Sequence, residues 1–456
     1  MNRTDRAATD RAGAGGVGQA AGGVGTGAGG AAGAGPAAPA GAPVLRTTPL
    51  HSVHAALGAS FTDFGGWRMP LRYASDLAEH HAVRRSAGVF DLSHMGEVKV
   101  TGPGAAAALD HALVGAISAV ALGRARYTMI VGADGGVIDD LIVYRVGEEE
   151  YLVVPNAGNR ERVAGLLARR CAGFGARVED LSLSIALIAV QGPRAAEVLT
   201  GVVESGAAMP AALRPREGAE PGAECGADVV CGPTLLRRLR YYAAVRATAA
   251  GHAIVLARTG YTGEDGFELF CGAEDAEDLW SVIMGAAAGL DPGRAPDGTA
   301  IPALSPCGLA ARDSLRLEAG MPLYGHELSE GITPFDASLG SVVGLDKPEF
   351  VGREALVERA GRRGAEGTTV LVALVGQGRR AARAGSAVFD AAGRRVGTVT
   401  SGLLSPTLGH PIALALVSPA SPQAPDWPVG ARLSADVRGR MLPMSVVASP
   451  FYRRGR

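Results

Sequence analysis

Two runs rich in β-branched and aromatic residues, Tyr127-Thr128-Met129-Ile130-Val131 and Val137 to Val146, flank the turn Ala133-Asp134-Gly135-Gly136. An Asp-Gly turn between two such runs predicts a hairpin, which commits this part of the chain to antiparallel pairing. The second run opens Val137-Ile138-Asp139-Asp140-Leu141-Ile142-Val143-Tyr144. Side chains alternate along a strand, so Asp140, Ile142 and Tyr144 share one side while Asp139, Leu141 and Val143 share the other. A carboxylate in so apolar a run is costly to bury without partners, a tension expected at a functional site. The plainer reading leaves both aspartates capping the hairpin in solvent.

Two further segments have the residue types of a site. In Arg258-Thr259-Gly260-Tyr261-Thr262-Gly263-Glu264-Asp265-Gly266-Phe267-Glu268-Leu269-Phe270, three glycines at spacing three let backbone approach a ligand closely. If Phe267 and Leu269 face a core, Glu268 faces a cavity or solvent; the bland alternative is an acidic turn before an edge strand. Gly308 to Gly320 predicts a helix with a glycine stop, in which Arg312 and Arg316 share a face at i,i+4 and repel unless carboxylates compensate. Pairing of Asp313 with Arg316 would leave Arg312 for a planar anion. Surface ion pairing is the competing account.

Other chemistries drop out. Of 44 basic residues only Lys99 and Lys347 are lysines, and neither follows a glycine loop or precedes Ser or Thr, so no P-loop is present. Nothing in the sequence around either lysine suggests the desolvated setting of a Schiff-base lysine. A net charge of -1 argues against a nucleic-acid-coating protein. Five cysteines without a C-x-x-C pair indicate neither a disulfide framework nor a zinc ribbon, and a reducing cytoplasm fits best. The nine histidines give no metal signature; His94, between Ser93 and Met95, fits a structural turn better than a general base. No G-x-S-x-G elbow occurs, and no run of 18 apolar residues predicts a membrane span.

Residues 1–45 read as a disordered tail: Met1 to Pro43 contain 13 of the 66 glycines, two valines and no larger apolar residue except the initiator Met1. The G-x-G-x-x-G match at Gly25 to Gly30 lies in this low-complexity stretch without the strand and helix it needs. Ordered sequence is expected from Arg46. Asp76-Leu77-Ala78-Glu79 reads as a capping box opening a helix to about Ser86, followed by an apolar turn through Gly96, a strand over Tyr151 to Pro155 and a helix over Glu161 to Arg170. Glu204 to Pro233 and Gly289 to Pro306 look like insertions. After the charged glycine-rich linker at Gly361 to Gly367, short strands separated by turns predict a smaller all-β domain over 368–456.

Taken together, the segments resemble the aminomethyltransferase, or T-protein, family of the glycine cleavage system. The resemblance rests on Thr48-Pro49-Leu50-His51, Phe64-Gly65-Gly66-Trp67, Phe90 to Gly96, Gly135 to Leu141, Gly260 to Gly266, Arg312 to Gly320, Leu323-Tyr324-Gly325 and Thr398 to Gly409, in family order over nearly all of residues 46 to 456. It implies an α+β fold of three domains, a cloverleaf around a central folate channel: two intertwined α+β domains within 46–360 and a C-terminal β-barrel domain over 368–456. It also implies a tetrahydrofolate enzyme that receives an aminomethyl group from the lipoyl arm of H-protein, with no nucleic-acid or membrane partner. The family's catalytic carboxylate falls on Asp140. Its folate contacts fall on Glu268 for the pterin edge and Arg312 toward the benzoyl-glutamate side, with Met95, Tyr127, Tyr144, Asn156 and Tyr261 lining the pocket and Tyr452 near the C-terminus.

Relatives of the same fold set the alternatives. A folate-dependent demethylase is one; the sarcosine-type dehydrogenases carry an added flavin domain for which this chain has no room. A folate-binding protein of iron–sulfur cluster assembly is another, disfavoured because Thr259-Gly260-Tyr261 stands where that branch has a lysine-glycine-cysteine motif.

Overall fold

The Asp134-Gly135 turn closes a hairpin of Ala125–Val131 and Val137–Gly147 in the computed structural model, which describes residues 44–207, 229–294, 298–362, 365, 368–418 and 427–455. Gly135 takes φ +82°, the left-handed conformation the turn requires. The register sets Thr128 opposite Leu141 and Met129 opposite Asp140. Glu150–Val154, Val98–Thr101 and Arg177–Asp180 extend this pair into a five-stranded antiparallel sheet. Alternation then sorts the residues as expected. Leu141, Val143, Tyr151 and Val153 bury with Leu109 and Leu167 of the helices Ala105–Ala112 and Arg160–Arg170, while Ile142, Tyr144, Leu152 and Val154 face the other way.

That second face packs on a larger sheet. Its eight strands run Val229–Cys231, Val203–Ala207, Ala244–Ala249, His252–Ala257, Gly266–Gly272, Ile185–Gln191, Gly88–Asp91 and Ser305–Pro306. In Gly266–Gly272, Phe267, Leu269 and Cys271 join the core that holds Trp280 of the helix Ala276–Ala288. Phe270 turns instead to Tyr144, with ring centroids 5.6 Å apart.

The two stretches read as insertions both tie into this sheet. Ser205 to Ala207 pair with Val229 to Cys231, so the first leaves and re-enters at the sheet edge. The end of the second, Ser305–Pro306, pairs in parallel with Gly88 and Val89; a two-residue edge strand carries too little pattern to be seen in sequence. Residues 1–43 and 208–228, with the tail and Cys225, lie outside the described residues.

The third lobe is a closed six-stranded barrel built from Val370–Gly376, Ala387–Phe389, Arg395–Leu404, Pro411–Val417, Arg432–Asp436 and Met441–Val447, filled by Leu374, Val399, Ala415 and Met444. The described residues from Leu45 to Gly455 form one body. Among the described residues no helix is long and apolar enough to cross a membrane.

Two local readings change. The helix is Asp76–Arg85 and its N-cap is Ser75, whose hydroxyl accepts from the Ala78 N–H. Glu79 instead accepts from the Tyr73 and Gly308 N–H groups, at 2.8 and 2.9 Å, joining distant segments. Lys347 is buried, and burial lowers its pKa to about 8. Its Nζ donates to the carbonyls of Asp110, Leu113 and Gly115 at 2.7, 2.6 and 3.0 Å and lies 4.4 Å from the Phe350 ring centroid. Three converging carbonyls match a compact ammonium and not a planar guanidinium, a physical reason for a lysine here in an arginine-rich chain. Lys347→Arg is expected to lower the unfolding free energy by about 2 kcal/mol, read from urea denaturation; an unchanged midpoint would refute this account of the cage.

Candidate active site

The two sheets enclose a cavity of about 230 Å³. The hairpin supplies one wall, and Asp140 points into it as strand parity predicts. Its Oδ2 accepts from the Tyr127 hydroxyl at 2.9 Å and its Oδ1 from the Asn156 amide at 2.9 Å. The same amide donates to Asp139 Oδ1 at 2.9 Å, and Asn159 adds a bond of 2.7 Å. Burial raises the Asp140 pKa against the opposing bonds from Tyr127 and Asn156. Fully buried Asp139 is pushed up to about 7 by burial and then by the charge of Asp140, against its asparagine partners. One carboxylate is thus presented to the cavity and the other is taken up behind it.

Glu268 enters from the opposite sheet. Its Oε2 accepts from the Tyr144 hydroxyl at 3.1 Å and from the Thr259 hydroxyl. The loop before that strand is held by Gln191, whose Nε2 donates to the Thr259 carbonyl at 3.1 Å. A Cβ on Gly260 would lie 2.0 Å from Gln191 Oε1, so any larger residue there would push the Gln191 amide out of this position. Tyr261 then donates to the Pro322 carbonyl and stands beneath Arg312, whose guanidinium carbon lies 4.7 Å from the ring centroid.

Arg312 comes from the helix Leu309–Glu318. Asp313 binds Arg316 at 2.7 Å, and buried Glu327 adds a contact of 3.2 Å. Arg312 has no carboxylate partner among the described residues. It is therefore a cation held at the cavity wall with its guanidinium stacked on Tyr261 and no ion pair among the described residues.

Met95, Tyr127, Asp140, Tyr144, Asn156, Tyr261, Glu268 and Arg312 all line this one cavity. Tyr452 does not. It packs against Arg84, whose guanidinium carbon is 4.0 Å from its ring centroid, and burial together with Glu264 pushes its phenol up to about 12. Sequence reasoning missed Phe64, His94, Leu187 and Tyr242, which also line the cavity. Phe64 sits beside the Gly65-Gly66 turn of a hairpin, a recognisable signal; Tyr242 carries φ 59°, which nothing in its neighbours announces.

A family model described as the GCVT N-terminal domain matches residues 50–216 and 228–347, and one described as the glycine cleavage T-protein C-terminal barrel domain matches 369–453. The chain is 50% identical over 412 residues to an aminomethyltransferase of Corynebacterium jeikeium, covering 90% of this chain and 99% of that one. It is 51% identical over 410 residues to an aminomethyltransferase of Streptomyces avermitilis, covering 90% and 98%. The crystal structure of glycine cleavage system aminomethyltransferase T from Bartonella henselae superposes with a TM-score of 0.72 at 33% identity, covering 90% of this chain and 98% of that one.

Proposed function

The chain belongs to the glycine cleavage T-protein family, and from that premise we propose that it transfers the aminomethyl carbon from the lipoyl arm of a lipoylated H-protein to tetrahydrofolate. The products are 5,10-methylenetetrahydrofolate, ammonia and the reduced arm. The observation that carries this reading is the pairing, in one cavity, of a carboxylate held by Tyr127 and Asn156 with an arginine that has no carboxylate partner among the described residues.

The lining fits folate. Glu268 offers a carboxylate to the hydrogen-bond donors of a pterin edge, the tyrosines and Met95 offer flat and deformable apolar walls, and Arg312 offers a fork for a carboxylate of the benzoyl-glutamate end. Tetrahydrofolate supplies the two amine nitrogens that take up the carbon. Asp140 orients the reacting amine, accepts a proton and stabilises cationic character as ammonia leaves. Tyr127 and Asn156 fix the carboxylate so that it need not reorganise. A cytoplasmic setting would keep the cysteines reduced.

The test is formation of 5,10-methylenetetrahydrofolate from aminomethyl-loaded H-protein, with dimethylated amines as the competing substrates; turnover of the amines alone would overturn the reading. Arg312→Ala is expected to weaken tetrahydrofolate binding by roughly 10- to 100-fold, the worth of a charge-assisted contact, measured by calorimetry. An unchanged Kd would remove Arg312 from the folate site.

A further inference from the structure

Resting on that reading, we propose that His94 is a second proton carrier of the transfer, bringing to the lipoyl sulfur the proton that Asp140 does not handle. The need for a second proton path follows from the balance of the reaction. The C–N bond to the departing amine and the C–S bond to the arm break, and C–N bonds form to two folate nitrogens. Each of those nitrogens loses one proton. One proton ends on ammonia and the other on the sulfur of the dihydrolipoyl arm, with no change of oxidation state. Two protons therefore travel to two destinations, and Asp140 is a single carboxylate.

Most of the other titratable groups on the cavity wall are engaged. Glu268 is taken up by Tyr144 and Thr259. Tyr127 donates to Asp140 and Tyr261 to the Pro322 carbonyl, and burial holds both phenols in the protonated form. His94 differs. It is 1% exposed, lines the same cavity as Asp140, and its buried Nδ1 has no hydrogen-bond partner among the described residues. The ring is held edge-on by Phe64 at a centroid distance of 5.5 Å. A turn histidine with a purely structural task would spend its ring nitrogens on backbone or side-chain partners, as His54 does on Asp91 and Tyr73 at 2.9 Å each.

The charges that bear on this ring are Asp91 and Arg312. Burial is the larger influence and lowers the pKa to about 4, with Asp91 opposing and Arg312 assisting. The imidazole is thus neutral at physiological pH and free to accept. It takes the proton from a folate nitrogen as the new C–N bond forms, is briefly an imidazolium stabilised by the nearby Asp91 carboxylate, and returns to neutral by protonating sulfur as the C–S bond breaks.

The experiment compares the full-length parent, His94→Gln and His94→Ala in single-turnover transfer from aminomethyl-loaded H-protein and in calorimetric tetrahydrofolate binding. Glutamine preserves polarity and approximate size but does not titrate. The expected result is a fall in transfer of about 100-fold with the folate Kd within about twofold of the parent. Added imidazoles should restore His94→Ala, faster for the more basic ones, a dependence that a merely structural ring would not produce. A His94→Gln rate within a few-fold of the parent would overturn the proposal. So would folate affinity falling in step with turnover, or a His94→Ala variant indifferent to imidazole. Failure of the parent itself to form methylenetetrahydrofolate would instead remove the functional reading on which the proposal stands.

Discussion

Asp140→Asn is expected to lower aminomethyl transfer by roughly a thousandfold, the scale of losing a placed acid–base group together with its electrostatic effect, while leaving the fold and most of the tetrahydrofolate affinity in place. The substitution conserves shape. Asn156 can still donate to the remaining carbonyl oxygen, and the Tyr127 hydroxyl, now 2.9 Å from Oδ2, can turn and accept from an amide in its place. Only the charge and the proton site are lost. Linkage gives the sign of the stability effect. Burial raises Asp140, and it raises Asp139 to about 7 from 3.8, so both bind their protons more tightly folded than unfolded. Their contribution to stability is then greatest below pH 3.8 and is lost as pH rises through the folded values. Removing the Asp140 charge near pH 7.5 should accordingly leave the unfolding free energy unchanged or higher, the usual trade between stability and a strained site. In the parent, activity should fall on the acid side as Asp140, raised by burial from its ordinary value, takes up its proton. In the variant, Asp139 should titrate lower because its charged neighbour is gone, visible as a shifted carboxyl resonance in NMR. An Asn variant with near-parental turnover would sink the assignment.

What was legible beforehand was local and periodic. The hairpin followed from a turn dipeptide between β-rich runs, and its period of two separated Asp140 from Asp139. The same parity separated Glu268 from Phe267 and Leu269, and helical spacings of four (Arg312 to Arg316) and three (Asp313 to Arg316) anticipated that Asp313 would occupy Arg316 and leave Arg312. What was hidden depends on contacts between distant parts of the chain. Lys347 finds its carbonyls more than 230 residues away, which no neighbouring residue encodes. Glu79, read as a cap residue, is recruited by Gly308, 229 residues on. Tyr452 was placed at the folate by resemblance, yet its ring is claimed by Arg84. His94 reads as structural because a turn position explains a histidine cheaply; only the assembled cavity wall reveals that its Nδ1 is without a partner among the described residues.

Glu318→Gln should cost the folded state about 3 kcal/mol, the scale of removing one partner from a buried charge pair, because this one carboxylate ties the helix that carries Arg312 to the helix Asp76–Arg85 and to the barrel. It ends the helix that carries Arg312 and is fully buried. Arg84 of the helix Asp76–Arg85 donates to its Oε2 through Nε and Nη2 at 3.0 and 2.8 Å, and His80 approaches at 3.3 Å. From the barrel side the Ser405 hydroxyl, the Thr407 N–H at 3.0 Å and the Thr407 hydroxyl at 2.8 Å converge on it. Against burial, which raises it, the bonds from His80 and Ser405 and the charge of Arg84 hold its pKa down to about 2. The folded value lies below the ordinary 4.5, so the stabilisation is present above pH 4.5 and is lost as pH falls toward about 2. Glutamine removes that dependence and leaves Arg84 with Glu264, 2.9 Å away, as its remaining carboxylate. Urea denaturation at several pH values between 2 and 7 should therefore show a parent curve that falls toward acid and a lower, flatter one for Glu318→Gln. Tetrahydrofolate at about 100 times its Kd should return roughly 2.7 kcal/mol to either protein, since ligand bound by the folded state alone stabilises both equally if Arg312 stays in place. Parallel pH curves for parent and variant would show that Glu318 is not the joint, and a smaller gain from folate in the variant would show that loosening it displaces Arg312 as well.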